Sequence, residues 1–305
     1  MSDLFRPTPF ADLTRWVFTE FEERGSIFDI DRTLFFEPKL DDPFRLELQG
    51  TMIATPFGVA AGPHTQLAPG IIASWLCGAR VLELKTVQLR GVEVVRPCIR
   101  MRDEGLNVEW SQELEPEASF DQYLDAWVLI HALHRRFGWP GPDPETIFDI
   151  SVGYDLKGLQ SEPMRRYFSL VADSGAKLEE RLDVLARVRP EFAGLEVPPR
   201  LSSRVTLSTL HGCPSDEIGR MITHLIEDYG LHAKVKMNPS LLGAEFVRSV
   251  LHDHLGFTDL EPDEAAFADD LKLGEAVDLV AELDGTAHKA GASFGVKLSN
   301  TLPLK

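Results

Sequence analysis

The chain has 305 residues, a formal net charge of −17 and three cysteines without a Cys-x-x-Cys spacing. The acidic balance disfavours binding to nucleic acid or to anionic membrane surfaces, and three such cysteines disfavour a disulfide framework. Because no apolar run reaches the ~18 residues of a membrane span and the first residues lack a signal-peptide pattern, we predict a cytoplasmic protein.

The first predicted element is a helix over 7–24, where apolar residues recur at helical spacing after two prolines. Residues 25–50 are predicted to be irregular, apart from a strand near 44–48. From residue 51 onward, short aliphatic runs alternate with helical stretches. The predicted strands cover 53–60, 81–86, 147–152, 205–209, 233–237 and 294–298. The predicted helices between them cover 69–77, 120–137, 163–187, 215–229 and two further stretches before 294.

This alternation predicts an α/β fold with a parallel sheet. About six strand–helix units can be found, whereas a closed (β/α)8 barrel needs eight. Residues alone therefore leave two architectures open, an open doubly wound sheet and an incomplete TIM barrel. In the second, residues 1–50 form an N-terminal extension and residues 51–305 form a barrel domain that stops before its last two strands.

Small or polar residues follow nearly every predicted strand. Two lysines, Lys85 and Lys236, stand at the ends of otherwise apolar runs, where barrel enzymes carry their working residues. Gly58 and Gly62 have no Cβ, so we expect their backbone to approach a flat cofactor closely. Since the carboxyl ends of parallel barrel strands meet at one mouth, these residues predict a site for a planar, electron-accepting heterocycle.

Several stretches resemble one family of flavin barrels. They are Ala61-Gly-Pro-His-Thr-Gln-Leu-Ala68, Glu83-Leu-Lys-Thr-Val-Gln88, Leu207-Ser-Thr-Leu-His-Gly-Cys-Pro214 and Gly295-Val-Lys-Leu-Ser-Asn-Thr301. The family is the dihydroorotate dehydrogenase-like FMN barrel, as in dihydropyrimidine dehydrogenase. The resemblance is strongest to the N-terminal region of iron–sulfur flavoproteins of the selenate reductase subunit type. It favours the incomplete TIM barrel over the open sheet.

The resemblance implies a flavin-dependent oxidoreductase that transfers hydride between FMN and a pyrimidine- or purine-like heterocycle. It also implies that 4Fe-4S clusters and FAD lie in domains or partner subunits outside this chain, because three cysteines cannot ligate a four-cysteine cluster. The residues that it assigns to FMN are Ala60, Ala61, Gly62, Lys85 and Lys236. The residues that it assigns to substrate are Asn107, on the loop after the second strand, and Asn300 and Thr301.

Cys213 and Lys85 are the residues that the resemblance assigns to catalysis, with Cys213 exchanging a proton with the substrate. The chain departs from the family here, because Thr209-Leu-His-Gly replaces the usual Asn-Leu-Ser before the cysteine. His211 is expected either to replace the missing asparagine partly or to lower the pKa of the thiol.

Two other functions stay open. The barrel could be a non-catalytic scaffold that docks electron-transfer domains, or an aldolase-type barrel in which Lys85 or Lys236 forms a Schiff base. Other candidates are expected to be structural: Cys77 in the core, and His131 with His134 on a buried helix face rather than on a metal. Four acidic residues are expected to form a solvated helix flank, namely Glu261, Glu264, Asp269 and Asp270.

Overall fold

The computed structural model describes residues 6–87, 89, 99–101, 105–107, 114–153, 155–208, 213–300 and 302–305, with the backbone alone at 99–101 and 105–107. The chain forms two compact units. The first comprises Met1–Ser151 and Glu162–Ser202, and the second comprises Val152–Ser161 and Ser203–Lys305.

The α-helices in the described part of the chain are α1 (Phe10–Arg24), α2 (Ala68–Leu76), α3 (Pro116–Phe137), α4 (Leu156–Leu159), α5 (Glu162–Ala172), α6 (Gly175–Val188), α7 (Ser215–Glu227), α8 (Ala244–Ser249), α9 (Glu264–Asp269) and α10 (Leu273–Lys289). The strands are β1 (Ser26–Ile27), β2 (Ile30–Asp31), β3 (Leu46–Leu48), β4 (Thr51–Ile53), β5 (Gly58–Val59), β6 (Val81–Glu83), β7 (Ile99–Met101), β8 (Gly105–Asn107), β9 (Ile147–Val152), β10 (Arg204–Ser208), β11 (His232–Met237) and β12 (Phe294–Leu298).

In the first unit, β5, β6 and β9 run parallel, with Val59 opposite Leu82 and Leu82 opposite Phe148. Helix α3 packs against α2, α5 and α6, and it is buried on nearly every face, as expected of a helix enclosed by others. One buried carboxylate on α3, Asp125, receives a hydrogen bond from Arg181 of α6 at 2.6 Å, which satisfies a charge that burial alone would penalise.

The second unit contains the parallel strands β10, β11 and β12, with Ser208 opposite Lys236 and Lys236 opposite Lys297. Along β11, buried Ala233, Val235 and Met237 alternate with half-buried residues, so one face of the strand points to the core. Helices α7 and α10 pack on each other, and each also contacts one strand of the unit, α7 against β11 and α10 against β12.

Most predicted elements are present, and the differences have local causes. The predicted strand 53–60 is two strands, β4 and β5, because Pro56 lies between them and cannot donate to a ladder. The predicted helix 163–187 is α5 and α6, separated where Ser174 turns to bond the carbonyl of Pro199. Asn107 ends strand β8, paired antiparallel to β7, and is not on a loop as predicted.

Within the described residues, no helix combines the length and the apolar character needed to cross a membrane.

Candidate functional site

At the strand ends of the first unit, backbone amides donate hydrogen bonds to side-chain oxygens. The amide of Ala61, just after β5, donates to Glu83 Oε2 at the end of β6 at 2.8 Å. The amide of Gly62 donates to Thr65 Oγ1 at 3.1 Å, and Thr65 is fully buried. Two of the three predicted cofactor-binding residues at this position, Ala61 and Gly62, therefore have their amides bonded within the protein, whereas Ala60 is exposed.

The glycines of this segment have a packing role that the sequence analysis did not predict. A Cβ at Gly58 would lie 2.3 Å from the carbonyl oxygen of Val81, on the paired strand β6. A Cβ at Gly62 would lie 2.7 Å from the imidazole Cε1 of His64. Both positions exclude a side chain because protein atoms fill the space, and Gly62 has an extended backbone that any residue can adopt.

Lys85 lies two residues beyond the end of β6, close to the strand end at which the sequence analysis placed it. Its amide donates to the carbonyl of Thr65 at 3.1 Å, and its own carbonyl accepts from Tyr123 Oη of α3 at 2.7 Å. Lys85 is 9% exposed. The backbone of Lys85 is thus fixed by two neighbouring elements, and the sequence analysis missed both Thr65 and Tyr123 as the residues that fix it.

In the second unit, side chains rather than backbone groups form the cluster. A pocket with a water-accessible volume of about 10 Å³ is lined by Cys213, Lys236, Asn238 and Asp270, among others. It has room for about one water molecule. The structure thus brings predicted residues Cys213 and Lys236 together at the ends of β10 and β11, in register with Ser208 opposite Lys236.

A chain of side-chain hydrogen bonds extends from this pocket, and we call its four members the amide cluster: Asn300, Asn238, Asp270 and Ser240. Asn300 Nδ2 donates to Asn238 Oδ1 at 3.0 Å, and Asn238 Nδ2 donates to Asp270 Oδ1 at 3.3 Å. Ser240 Oγ donates to Asp270 Oδ2 at 2.5 Å. The predicted substrate residue Asn300 is therefore connected to the pocket through Asn238.

The sequence analysis placed Asp270 on a solvated flank, and this was wrong. Asp270 is 5% exposed and Ser240 is fully buried. The sequence carries no signal for Asp270 itself but does carry one for its partner Asn238, because the chain contains only three asparagines, Asn107, Asn238 and Asn300, and all three follow or end short strands. A residue type that is this rare and occurs at strand ends indicates a specific polar role.

Burial, together with the nearby carboxylates Glu217 and Asp216, raises the pKa of the Cys213 thiol to about 11. The position just before helix α7 would by itself favour a thiolate through the helix dipole, so desolvation and the two acidic residues outweigh that effect. The idea that His211 lowers this pKa concerns residues 209–212, which lie outside the described residues.

The other predicted residues fall into three groups. Thr301 lies outside the described residues, and so does the side chain of Asn107. Cys77 is exposed, which corrects its assignment to the core. His131 and His134 are buried and bond the carbonyls of Trp127 and Pro140, and burial lowers the pKa of His131 to about 4. The described residues contain no group of three or more ligands that could hold a metal.

Comparison with known proteins identifies the family. A family model described as "Oxidoreductase YgfK, N-terminal TIM-barrel domain" matches residues 28–305. The chain belongs to this family. The YgfK proteins of Escherichia coli strains K12 and O157:H7, named as candidate oxidoreductases, are each 38% identical over 322 residues, which is 99% of this chain and 31% of the relative. The chain thus spans 31% of the length of the curated relatives that it matches.

Two solved structures of dihydroorotate dehydrogenase from Eimeria tenella are also similar. The ligand-free form has a TM-score of 0.43 and 12% identity, covering 87% of this chain and 79% of that one. The ferulenol complex has a TM-score of 0.45 and 12% identity, covering 98% and 82%. The family assignment, rather than these scores, confirms the TIM-barrel class predicted from the sequence.

The chemistry of the side chains fits a flavin, whereas the volume of the pocket sets a limit. Lys236 supplies a cation beside the Asn238 amide, the Cys213 thiol and the Asp270 carboxyl group, and a lysine in such a place can stabilise negative charge on a reduced flavin ring. The pocket that the described residues enclose, about 10 Å³, is too small to contain an isoalloxazine ring.

Proposed function

We propose that this chain is a flavin-dependent oxidoreductase domain that transfers hydride between FMN and a pyrimidine- or purine-like nitrogen heterocycle. The observation that supports it is the grouping of a thiol, a lysine and an amide, Cys213, Lys236 and Asn238, around one pocket at adjacent strand ends. Amides recognise the polar edge of a heterocycle, the lysine balances negative charge, and the thiol handles a proton. The proposal depends on the three groups lying together, and not on any one of them.

The proposed FMN-binding residues are Ala60, Ala61, Gly62, Lys85 and Lys236, and the proposed substrate-binding residues are Asn107, Asn300 and Thr301. When bound, FMN supplies the two-electron chemistry that protein side chains lack. The residues of this chain bind FMN and the substrate and orient them. Because the amides of Ala61 and Gly62 are bonded internally and the carbonyl of Gly62 accepts from the amide of Thr65 at 2.9 Å, the exposed Ala60 is the proposed polar contact in that segment.

Cys213 and Lys85 are the proposed catalytic residues, with Cys213 as the proton donor. With a pKa of about 11, the thiol is protonated near neutral pH and suits donation better than abstraction. In the reductive direction, one carbon of a substrate C=C bond gains hydride while the Cys213 Sγ–H bond breaks to give the other carbon its proton. Water then returns a proton to the thiolate.

The chain spans 31% of its curated relatives, and this supports further domains that exchange electrons with the barrel. We propose that 4Fe-4S and FAD centres lie there or on partner subunits, and that the assembly works in the cytoplasm. The same proposal divides this chain into an N-terminal extension, 1–50, and a barrel domain, 51–305.

Titration of FMN with the protein, followed by flavin fluorescence, tests the cofactor assignment. We expect Lys236→Met to weaken FMN binding about tenfold, because one charge-assisted contact is lost. Lys289→Met, in the last turn of α10, is the matched control and should bind as the wild type does. Equal affinity in wild type and Lys236→Met would refute the role of Lys236, and no binding by any variant would favour the scaffold function.

A further inference from the structure

His64 lies shortly after strand β5, in a single 3-10 turn, Pro63–Thr65, whose backbone is held from two sides. Thr65 is fully buried, its amide donates to the carbonyl of Gly62 at 2.9 Å, and its Oγ1 accepts from the amide of Gly62 at 3.1 Å. Helix α2 closes the other side, because a Cβ at Gly70 would lie 2.1 Å from the carbonyl oxygen of His64. The backbone of His64 is therefore fixed between the end of β5 and the first turn of α2.

The imidazole of His64 lies against the backbone of Gly62. A Cβ at Gly62 would meet the ring atoms Cε1 at 2.7 Å and Nδ1 at 2.9 Å. The extended backbone of Gly62 would accept any residue, so the neighbouring ring, and not the backbone conformation, explains the glycine. Between residues 60 and 66, Ala60 and His64 are exposed. The imidazole is therefore the exposed polar side chain of this segment.

The segment has few other groups that could donate a hydrogen bond to a ligand. The amides of Ala61 and Gly62 already donate within the protein, and Pro63 has no amide hydrogen. An imidazole carries at least one N–H donor in either protonation state, and among the described residues neither ring nitrogen of His64 has a hydrogen-bond partner. Beside the backbone of Ala60, the imidazole of His64 is thus the donor that this segment can offer.

We propose that His64 is a further FMN-contacting residue, whose imidazole donates a hydrogen bond to the polar edge of the isoalloxazine ring and favours its reduced form. This rests on the proposed function, in which FMN lies along residues 60–62. Reduction by two electrons increases the negative charge on the ring, so a donor held beside it binds the reduced form more tightly than the oxidised form. The contact therefore raises the reduction potential of the bound flavin.

The two-electron reduction potential of bound FMN, measured against a reference dye in an anaerobic reductive titration, tests the contact. His64→Phe keeps an aromatic ring beside Gly62 and removes both ring nitrogens. We expect reduced FMN to lose about tenfold in affinity relative to oxidised FMN, which lowers the potential by about 30 mV. His64→Gln keeps an N–H donor and should lose about twofold or less. His288→Phe, exposed in the last turn of α10, is the matched control and should have the wild-type potential.

Gly62→Ala moves the imidazole without removing it, because the new Cβ would lie where the edge of the ring is. It should lower the potential as His64→Phe does. The two changes together should lower it no further than either change alone, because both act through one contact.

A wild-type potential in FMN-loaded His64→Phe would overturn the contact and leave the flavin assignment in place. An equal effect of Gly62→Ala in the wild-type and His64→Phe backgrounds would also overturn it, since Gly62 would then act independently of the ring. Should His64→Phe bind no FMN, the comparison passes to His64→Gln and His64→Ala, of which only the second should show the lower potential. Failure of the wild type to bind FMN would instead refute the proposed function, and the contact with it.

Discussion

The strand ends of the two units are built differently. In the first unit, the segment around Ala61 is held by backbone amides that donate to Glu83 and Thr65. In the second, the amide cluster bonds side chain to side chain. The segment around Ala61 uses its own backbone amides, so the chemistry of its own side chains matters less than their size, although the acceptors Glu83 and Thr65 are side chains. Steric substitutions within the segment should therefore disrupt it. A cluster held by side chains depends on chemical identity, so isosteric polar substitutions should disrupt it.

The largest expected effect is steric and belongs to the first unit. Gly58→Ala would place a Cβ 2.3 Å from the carbonyl oxygen of Val81, which the paired backbone cannot avoid. We expect a loss of about 3 kcal/mol or more in the free energy of unfolding, measured in urea. Gly62→Ala should cost less, because its near neighbour is the mobile ring of His64.

Gly285→Ala is the control for both substitutions, since a Cβ there meets nothing within 4 Å. In the interior of α10 it should stabilise by about 1 kcal/mol through helix propensity. If Gly58→Ala were as stable as Gly285→Ala, steric closure at β5 and β6 would be the wrong account of the first unit.

The next effect is the reactivity of Cys213. A thiol with a pKa of about 11 is about one part in 10³ thiolate near pH 8, whereas a free cysteine near 8.5 is about a quarter. In a Cys77→Ser, Cys98→Ser background, alkylation by iodoacetamide should therefore be about 10²-fold slower than that of free cysteine. The rate should rise tenfold per pH unit up to about 11.

A rate of alkylation that levels off near pH 8 would show a depressed pKa and an activated thiolate. That result would remove the case for Cys213 as a proton donor. Glu217→Gln, which removes one of the carboxylates that raise this pKa, should move the midpoint of the profile to lower pH and leave its shape unchanged.

A smaller effect separates two buried tyrosines of the first unit. Tyr123 Oη donates to the carbonyl of Lys85 at 2.7 Å, whereas the hydroxyl of Tyr167 is buried and has no hydrogen-bond partner among the described residues. We expect Tyr123→Phe to cost about 1–2 kcal/mol in the free energy of unfolding. Tyr167→Phe should be neutral or stabilising, because it removes an unsatisfied buried group. If Tyr167→Phe lowered the free energy of unfolding more than Tyr123→Phe, the hydrogen bond from Tyr123 to Lys85 would not be a stabilising contact.

The smallest expected effect is in the amide cluster. Ser240→Ala removes the hydrogen bond to Asp270 Oδ2 and should cost about 1 kcal/mol, seen as a lower urea midpoint. The bond between Asp270 and Asn238 should persist, so Asp270→Ala, which removes both hydrogen bonds, should lower the midpoint further. Equal midpoints in the two variants would mean that the bond between Asp270 and Asn238 adds no stability.

Regular elements and the order of the motifs could be predicted from the sequence, because β9 and β12 are short aliphatic runs with clear boundaries. Lys236 and Cys213 could be predicted as neighbours, since Cys213 follows β10 and Lys236 lies near the end of β11, the strand paired with β10. Asp270 could not, because its sequence surroundings are acidic and its partners Asn238 and Ser240 lie some thirty residues earlier. The steric need for glycine at position 58 could not be predicted either, because it depends on the carbonyl oxygen of Val81 on the paired strand.

The proposed reaction is hydride transfer between FMN and a nitrogen heterocycle, with Cys213 as the proton donor. Its most direct test is the anaerobic return of the oxidised flavin absorbance after the FMN-loaded, chemically reduced protein is mixed with uracil. We expect reoxidation by wild type and Cys77→Ala, and a rate at least about 10²-fold lower in Cys213→Ala. A flavin that stays reduced in wild type, or an equal rate in Cys213→Ala, would contradict it.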